Sequence, residues 1–508
     1  MIEIDGHHLS LEDVVLVARN GEKVAISAAG RQNIERARQW METILKTDRP
    51  VYGINTGFGI FADRRIPSRD SARLSRNLIV SHAVGTGDPL PEEVVRAAML
   101  VRANTLTKGH SGVRIEVVDT LLEMLNKGVT PIVPSQGSLG SSGDLGPLSH
   151  MALVFTTDSD DREEDSGWAM VQGERMTGKA AMRKAGIQRI ILGPKEGLAV
   201  NNGATFSAAI GALAVWDAEY ICDVAEAALS LSVEAMQGCP SAFDARLHAV
   251  RGQHGQIEVA EKVRELTAGS SLVGSTNRVQ DAYSLRCAPQ VQGASRDAIR
   301  FVRGVIEAEI NAATDNPLLF EPDVALSGGN FHGEPVGMVM DFLAIALSEI
   351  AAISERRVFR MTDAKLNGGL PPMLVDTPEA AGLNSGLMMP QYTAASLVLE
   401  NQTLAHPDSV HSLPTSGEQE DHNANAMTAA RHARQVLENT NHVLAIELFT
   451  ATRAVDLRLR ANPGTHIGQG TQTVYNRVRN AVPYQPGDAW WGPEIEKVKR
   501  LVLDHTLV

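Results

Sequence analysis

The residues best suited to chemistry lie in one segment, Gly137-Ser138-Leu139-Gly140-Ser141-Ser142-Gly143-Asp144-Leu145-Gly146-Pro147-Leu148-Ser149-His150. Four glycines and a proline stand there between two helical patterns. A tight connector would have the same composition, because Gly and Ser populate turns freely. The spacing excludes two common sites. A hydrolase elbow needs Gly-x-Ser-x-Gly, whereas Ser142 is followed directly by Gly143. A phosphate loop needs Gly-Lys-Ser/Thr, and the segment has no lysine. A Ser-Gly pair held in a constrained turn can instead cyclise. The Gly143 amide nitrogen attacks the Ser141 carbonyl carbon, unhindered because glycine has no side chain. Loss of water closes a five-membered ring. Loss of the Ser142 hydroxyl then leaves an exocyclic methylidene, an electrophile that no ordinary side chain supplies.

Other residues of chemical interest surround this segment. Tyr52 lies in the Gly-rich stretch Val51-Tyr52-Gly53-Ile54-Asn55-Thr56-Gly57-Phe58-Gly59. It is a candidate base, although an unperturbed phenol of pKa about 10 is mostly protonated at neutral pH; a core tyrosine is the alternative. Arg286 suits a two-pronged contact with a carboxylate, with a structural salt bridge as its alternative. Gln280 and Tyr283 precede it by six and three residues, a spacing that one helix face would share. Asn202 precedes a long helical pattern and so also reads as a helix cap. Glu420, Asp421 and His422 are consecutive and point in different directions, so no metal is expected.

These residues must be positioned by a mainly α fold. The first 200 residues alternate helical patterns with Gly- and Pro-rich turns. After Asn202 the patterns lengthen, over 204–236, 289–313, 335–357 and 426–457. Within 338–353 the polar side chains are Asp341, Ser348 and Glu349, which helical spacing puts on one side. The expected architecture is a large central helical bundle (204–508) with a smaller mixed N-terminal part (1–203) carrying the Ser-Ser-Gly and Tyr52 loops.

Bulk properties narrow the partners. Of 508 residues, 43% are hydrophobic but only 4% aromatic, so small aliphatic side chains must fill the core. The net charge of −13, without a basic block, argues against nucleic acid and anionic membrane. Gly197 to Trp216 is free of charge until Trp216 and long enough to span a bilayer, but its Asn, Thr and Ser content favours a buried helix with a polar start. Cys222, Cys239 and Cys287 lack metal spacing and read as reduced thiols. With an N-terminus unlike a secretory signal, a cytoplasmic location is expected.

The Ser-Ser-Gly segment resembles the cofactor loop of the histidine and phenylalanine ammonia-lyase family, whose members form 4-methylidene-imidazol-5-one (MIO). The resemblance extends through Ser81-His82-Ala83, Glu196-Gly197-Leu198-Ala199, Gln280-Asp281-Ala282-Tyr283-Ser284-Leu285-Arg286 and Asp315-Asn316-Pro317-Leu318. It continues through Ser327-Gly328-Gly329-Asn330-Phe331-His332, Gly382-Leu383-Asn384-Ser385-Gly386 and Gln419-Glu420-Asp421-His422. Each motif is weak alone; their number and order are specific. The resemblance implies a mostly helical homotetramer of the aspartase/ammonia-lyase type. It further implies an MIO built from Ser141, Ser142 and Gly143, with Tyr52 as base and Tyr283 next in line for that role. Arg286 would hold the substrate carboxylate, Asn202 and Gln280 would stand beside the MIO carbonyl and the amine, and Phe331 would line the ring pocket.

Within that family the substrate is read from His82 and Glu420. Ser-His-Ala and Gln-Glu-Asp-His are histidine-type motifs, and a carboxylate suits an imidazole N–H but not a phenyl ring. The expectation is elimination of ammonia from L-histidine to give urocanate. An MIO lyase or aminomutase acting on another aromatic or modified-imidazole amino acid is the alternative. Ser141 in place of the usual Ala, Asn201 in place of an apolar residue, and Glu418 and Asn423-Ala424-Asn425 around the last motif depart from the pattern. An aspartase/fumarase-type lyase would need a Lys-x-Asn after Gly-Ser-Ser, which is missing, and a non-catalytic scaffold would not need Ser142-Gly143 together with Tyr52 and Arg286.

Overall fold

Alanine has the highest helix propensity and the least bulk, so Ala-rich stretches form long helices that pack closely. The computed structural model, which describes residues 1–47 and 49–508, shows this. Among the described residues there are eighteen α-helices, and every strand has only two to four residues. The helices that matter for the site are α1 (Ser71–His82), α2 (Leu145–Phe155), α3 (Glu196–Asn201), α4 (Thr205–Ala235), α5 (Tyr283–Arg286), α6 (Glu334–Thr362) and α7 (Ala426–Ala461). The fold is mainly α, as expected.

By contacts the chain divides into two units. The first comprises Met1–Trp216, Val302–Asp341 and Pro407–Arg431; the second comprises Asp217–Phe301, Phe342–His406 and His432–Val508. The change of texture near residue 203 falls inside the first unit, between α3 and α4. The short sheets belong to the first unit. The largest pairs Val129–Pro131, Trp168–Val171 and Glu174–Thr177 antiparallel. One further hairpin, Leu318–Glu321 with Val324–Leu326, comes from beyond residue 203.

In the first unit a buried cluster of Met41, Ile44, Val51, Ile54 and Leu319 anchors both sides of Tyr52. A second anchor is polar. Lys195 Nζ contacts Asp315, whose Oδ1 also accepts from Ser111 Oγ at 3.0 Å. Arg102, fully buried, donates to the Ala199 carbonyl at 3.2 Å and to the Thr205 hydroxyl. It thus ties the end of α3 to the start of α4. In the second unit Glu447 is a buried hub, accepting from Ser232 Oγ and Ser354 Oγ at 2.6 Å each and from Arg357 Nη2 at 2.7 Å.

One expectation about helices needs correction. Gly197–Trp216 is not one helix: α3 stops at Asn201, Asn202 is extended, Gly203 has φ of 120°, and α4 begins at Thr205. The break exists because this backbone serves the Ser-Ser-Gly loop, as described below. In α6, buried over most of its length as expected, the three polar residues differ: Asp341 is buried, Ser348 half-buried and Glu349 exposed. Asp341 is buried because the N–H groups of Asp408 and Ser409 and the Ser409 hydroxyl all donate to it. The exposed side of α6 carries Met338, Phe342 and Ile345 together with Glu349. By length and composition α6 could cross a membrane, yet most of it is buried within the fold.

Candidate active site

The loop between Gln136 and α2 folds back on itself, so that Gly140 pairs with Gly143 and Ser141 with Gly143. The turn therefore brings the Gly143 amide and the Ser141 carbonyl into the same tight bend. It is held from outside at several points. Gly203 N donates to the Ser142 carbonyl at 3.2 Å, and Asn202 Nδ2 donates to the same oxygen at 2.8 Å. Asp144 N donates to the Gly203 carbonyl at 2.9 Å. The Asp144 carboxylate is fully buried and accepts from Ser207 N at 2.8 Å, Ser207 Oγ at 2.9 Å and Ser138 Oγ at 2.8 Å, so it caps the first turn of α4. Burial pushes its carboxyl above the usual range, against those hydrogen bonds. Asn202 therefore serves the loop and does not cap the following helix. Its Oδ1 is buried without a hydrogen-bond partner.

A cavity of about 1130 Å³ opens over this loop, and all its lining residues belong to the first unit. Tyr52, His82, Ser141, Ser142, Asn202, Phe331 and Glu420 line it. Tyr52 stands edge-on to Phe58, with centroids 6.5 Å apart, and its hydroxyl accepts from Gly59 N at 3.4 Å. Burial pushes the phenol above its ordinary pKa, the Gly59 N–H opposes this, and the Glu420 charge adds to it. His82 ends α1, with Nδ1 3.0 Å from Ser81 Oγ. Burial holds its imidazole below the ordinary value, against the Leu78 backbone and the Glu420 charge. Ser141 Oγ donates to Glu420 Oε2 at 2.6 Å, and Ser142 Oγ to Glu420 Oε1 at 3.2 Å. Glu420 is fixed by a short turn in which its N–H and carbonyl both pair with Thr415, at 3.2 and 2.8 Å.

A model of the family described as aromatic amino acid lyase matches residues 9–480. The chain belongs to the aromatic amino acid lyase family. It is 52% identical over 484 residues to a histidine ammonia-lyase of Caldanaerobacter subterraneus subsp. tengcongensis, covering 95% of this chain and 92% of that one. The crystal structure of histidine ammonia-lyase from Trypanosoma cruzi matches with a TM-score of 0.90 at 38% identity, over 100% of this chain and 94% of that one. The Pantoea agglomerans phenylalanine aminomutase matches with a TM-score of 0.92 at 33% identity, over 99% of both chains.

In this aromatic amino acid lyase the remaining expected residues lie elsewhere. Gln280, Tyr283 and Arg286 belong to the second unit and are not among the lining residues. Tyr283 is 70% exposed and carries the Arg286 guanidinium 4.6 Å over its ring. The helix face expected for all three holds only Tyr283 and Arg286, because α5 starts at Tyr283 and Gln280 precedes it in irregular chain. The Asp281 carboxylate accounts for that late start: it accepts from Cys239 N and pairs with Arg278. The cation lining the pocket is Arg64, which sequence reasoning passed over. Asn316, whose motif alone gives it no role, accepts from Gly328 N at 2.8 Å and donates to Ser327 Oγ at 2.9 Å through its side chain, shaping the wall that ends in Phe331. An Asn before Pro inside a motif was the signal available. The departures Asn201 and Asn423 are buried, and neither lines the cavity: Asn201 donates to Ser149 Oγ at 3.2 Å, and Asn423 bonds Leu413 N and Ser412 Oγ.

Proposed function

We propose that this chain eliminates ammonia from L-histidine to give urocanate, using an MIO that forms from Ser141, Ser142 and Gly143. The observation that carries this is Glu420: a carboxylate lies at the Ser-Ser-Gly turn in a pocket that also holds His82. The high identity to proteins named histidine ammonia-lyase supports the same substrate. The residues present fit the MIO. Its loop is bent back on itself, and Gly143 has φ of 74° with no room for a Cβ.

When formed, the MIO would supply an electrophile that makes the amine a better leaving group and the β-hydrogen more acidic. The chain's own residues do the rest. Asn202 and Gly203 N hold the Ser142 carbonyl and so fix the loop's orientation. Tyr52 takes the β-proton. His82, kept neutral by burial, and Glu420 hydrogen-bond the substrate imidazole, with Phe331 against its face. Glu420 also acts in the elimination itself, as the carboxylate that lines the cavity and bonds both serines of the turn.

Arg286 takes the substrate carboxylate, with Gln280 and Tyr283 beside it. In our reading these three serve the pocket of another copy in a homotetramer. The exposure of Gln280 and Tyr283 supports this, with Arg286 half-buried beside them, as do the apolar side chains that the second unit leaves uncovered, including Phe342, Ile345, Met389 and Tyr392. A cytoplasmic location fits the free thiols Cys222, Cys239 and Cys287. The test is direct: purified protein is incubated separately with L-histidine, L-phenylalanine and L-tyrosine, and each conjugated acid is followed by absorbance. Urocanate as the fastest product supports the reading. A preferred phenyl product overturns it, and a β-amino acid product would mark an aminomutase.

A further inference from the structure

Ring closure treats the two serine hydroxyls on Glu420 differently. A bond forms between Gly143 N and the Ser141 carbonyl carbon, and the Ser141 carbonyl oxygen leaves as water with the amide hydrogens of Ser142 and Gly143. Ser142 then loses its hydroxyl and its α-hydrogen as a second water. The Ser141 side chain takes no part. Before closure Ser141 Oγ holds Glu420 Oε2 at 2.6 Å and Ser142 Oγ holds Oε1 at 3.2 Å. Afterwards the first bond has all its atoms and the second has lost its donor.

We propose that Ser141 is a positioning residue, one that clamps Oε2 of Glu420 in the mature enzyme so that Oε1, released by the loss of the Ser142 hydroxyl, faces the substrate ring. This deepens the histidine reading and rests on it. Three observations support the clamp. Ser141 is 8% exposed, so water competes poorly for its hydroxyl. Its Oγ–Oε2 distance is that of a charge-assisted O–H···O bond. The carboxylate has few other restraints, since Glu420 is held by backbone pairing with Thr415 and its side chain projects into the cavity. An alanine at position 141 would form the same ring without holding the carboxylate.

The test separates the clamp from the ring. In a Ser142→Ala background no methylidene can form, so L-histidine binding is measured by calorimetry without turnover. Adding Ser141→Ala should weaken histidine binding about tenfold, the scale of a hydrogen bond to a charged group. Ser141→Thr should restore it, and L-phenylalanine binding should stay unchanged. With Ser142 intact, the Ser141→Ala protein should still lose about 36 Da from its own sequence mass, which shows that the ring is unaffected. It should also show a raised KM for histidine with a smaller change in kcat. If Glu420→Gln weakens histidine binding and Ser141→Ala does not, the clamp is overturned alone. If neither does, the clamp falls together with the assignment of Glu420 to the imidazole.

Discussion

A Cβ placed on Gly143 would lie 2.0 Å from the carbonyl carbon of Gly203, closer than any real side chain comes. The Ser-Ser-Gly loop and the break between α3 and α4 are thus packed backbone against backbone, and glycine is required on both sides. Gly203 itself has φ of 120°, and a Cβ there would meet Thr314 at 2.5 Å.

That packing makes the covalent state predictable. The wild-type protein should weigh about 36 Da less than its sequence by intact mass spectrometry, the loss of two waters. Gly143→Ala should keep the full sequence mass, because the turn cannot close against Gly203. Ser142→Ala should lose turnover while circular dichroism and thermal unfolding stay near wild type, since only the methylidene is removed. An active wild-type preparation at the unmodified mass would sink the MIO reading.

Tyr52→Phe should keep the ring and substrate affinity but lose roughly 10²–10⁴ in kcat, the usual worth of a positioned proton-transfer group. The sign of the pH dependence follows from its surroundings. Burial and the Glu420 charge both raise the phenol's pKa, so the base form grows only as pH rises, and kcat should increase into the alkaline range. Glu420→Gln removes the charge that raises it. The alkaline limb of the residual activity should therefore move to lower pH. A limb that stays in place, or moves up, would show that Tyr52 is not the group titrating.

Much of this was legible from residue types. The Ser-Ser-Gly turn, Tyr52, His82, Asn202, Phe331 and Glu420 carry their chemistry in their identities, and the structure gathers all of them around one cavity. What was not legible depends on long-range packing. The 197–216 stretch reads as one buried helix because Asn202 and Gly203 are short and uncharged; only the partner loop shows why the helix breaks there. The burial of Asp341 was not legible either, because its donors, Asp408 and Ser409, are 67 and 68 residues away. Periodicity likewise continued a helix back to Gln280, whereas the Asp281 contacts with Cys239 and Arg278 stop it at Tyr283.

Whether Tyr52 and Arg286 serve one pocket from the same chain or from two copies can be tested by mixing. Tyr52→Phe and Arg286→Ala should each be nearly inactive alone. If Arg286 serves the pocket of a neighbouring copy, coexpression of the two should restore about a quarter of wild-type activity, because random assembly pairs an intact Tyr52 with an intact Arg286 at about one site in four. No recovery from verified mixed oligomers would mean that both residues act within one chain, whereas an Arg286→Ala protein active on its own would mean that Arg64 takes the carboxylate. In the second case Arg64→Ala should raise KM more than Arg286→Ala does.

His82 and Glu420 should together select imidazole over phenyl. Burial keeps His82 neutral to below its ordinary pKa, so near neutral pH it offers a ring nitrogen to the substrate without a repelling charge. Glu420 presents a carboxylate that an imidazole N–H can satisfy and a phenyl ring cannot. Glu420 is half-buried; a phenyl ring that covered it would leave its carboxylate unmatched at a cost of several kcal/mol, roughly a hundredfold or more in discrimination. The wild type should therefore turn over L-histidine and act poorly on L-phenylalanine. His82→Leu combined with Glu420→Gln should lower kcat/KM for histidine far more than for phenylalanine. The deciding quantity is the ratio of the two kcat/KM values, since a general loss of activity cancels from it. A ratio unchanged in the double variant would move specificity to the rest of the lining, where Asn316 orders the Ser327–Gly328 wall leading to Phe331.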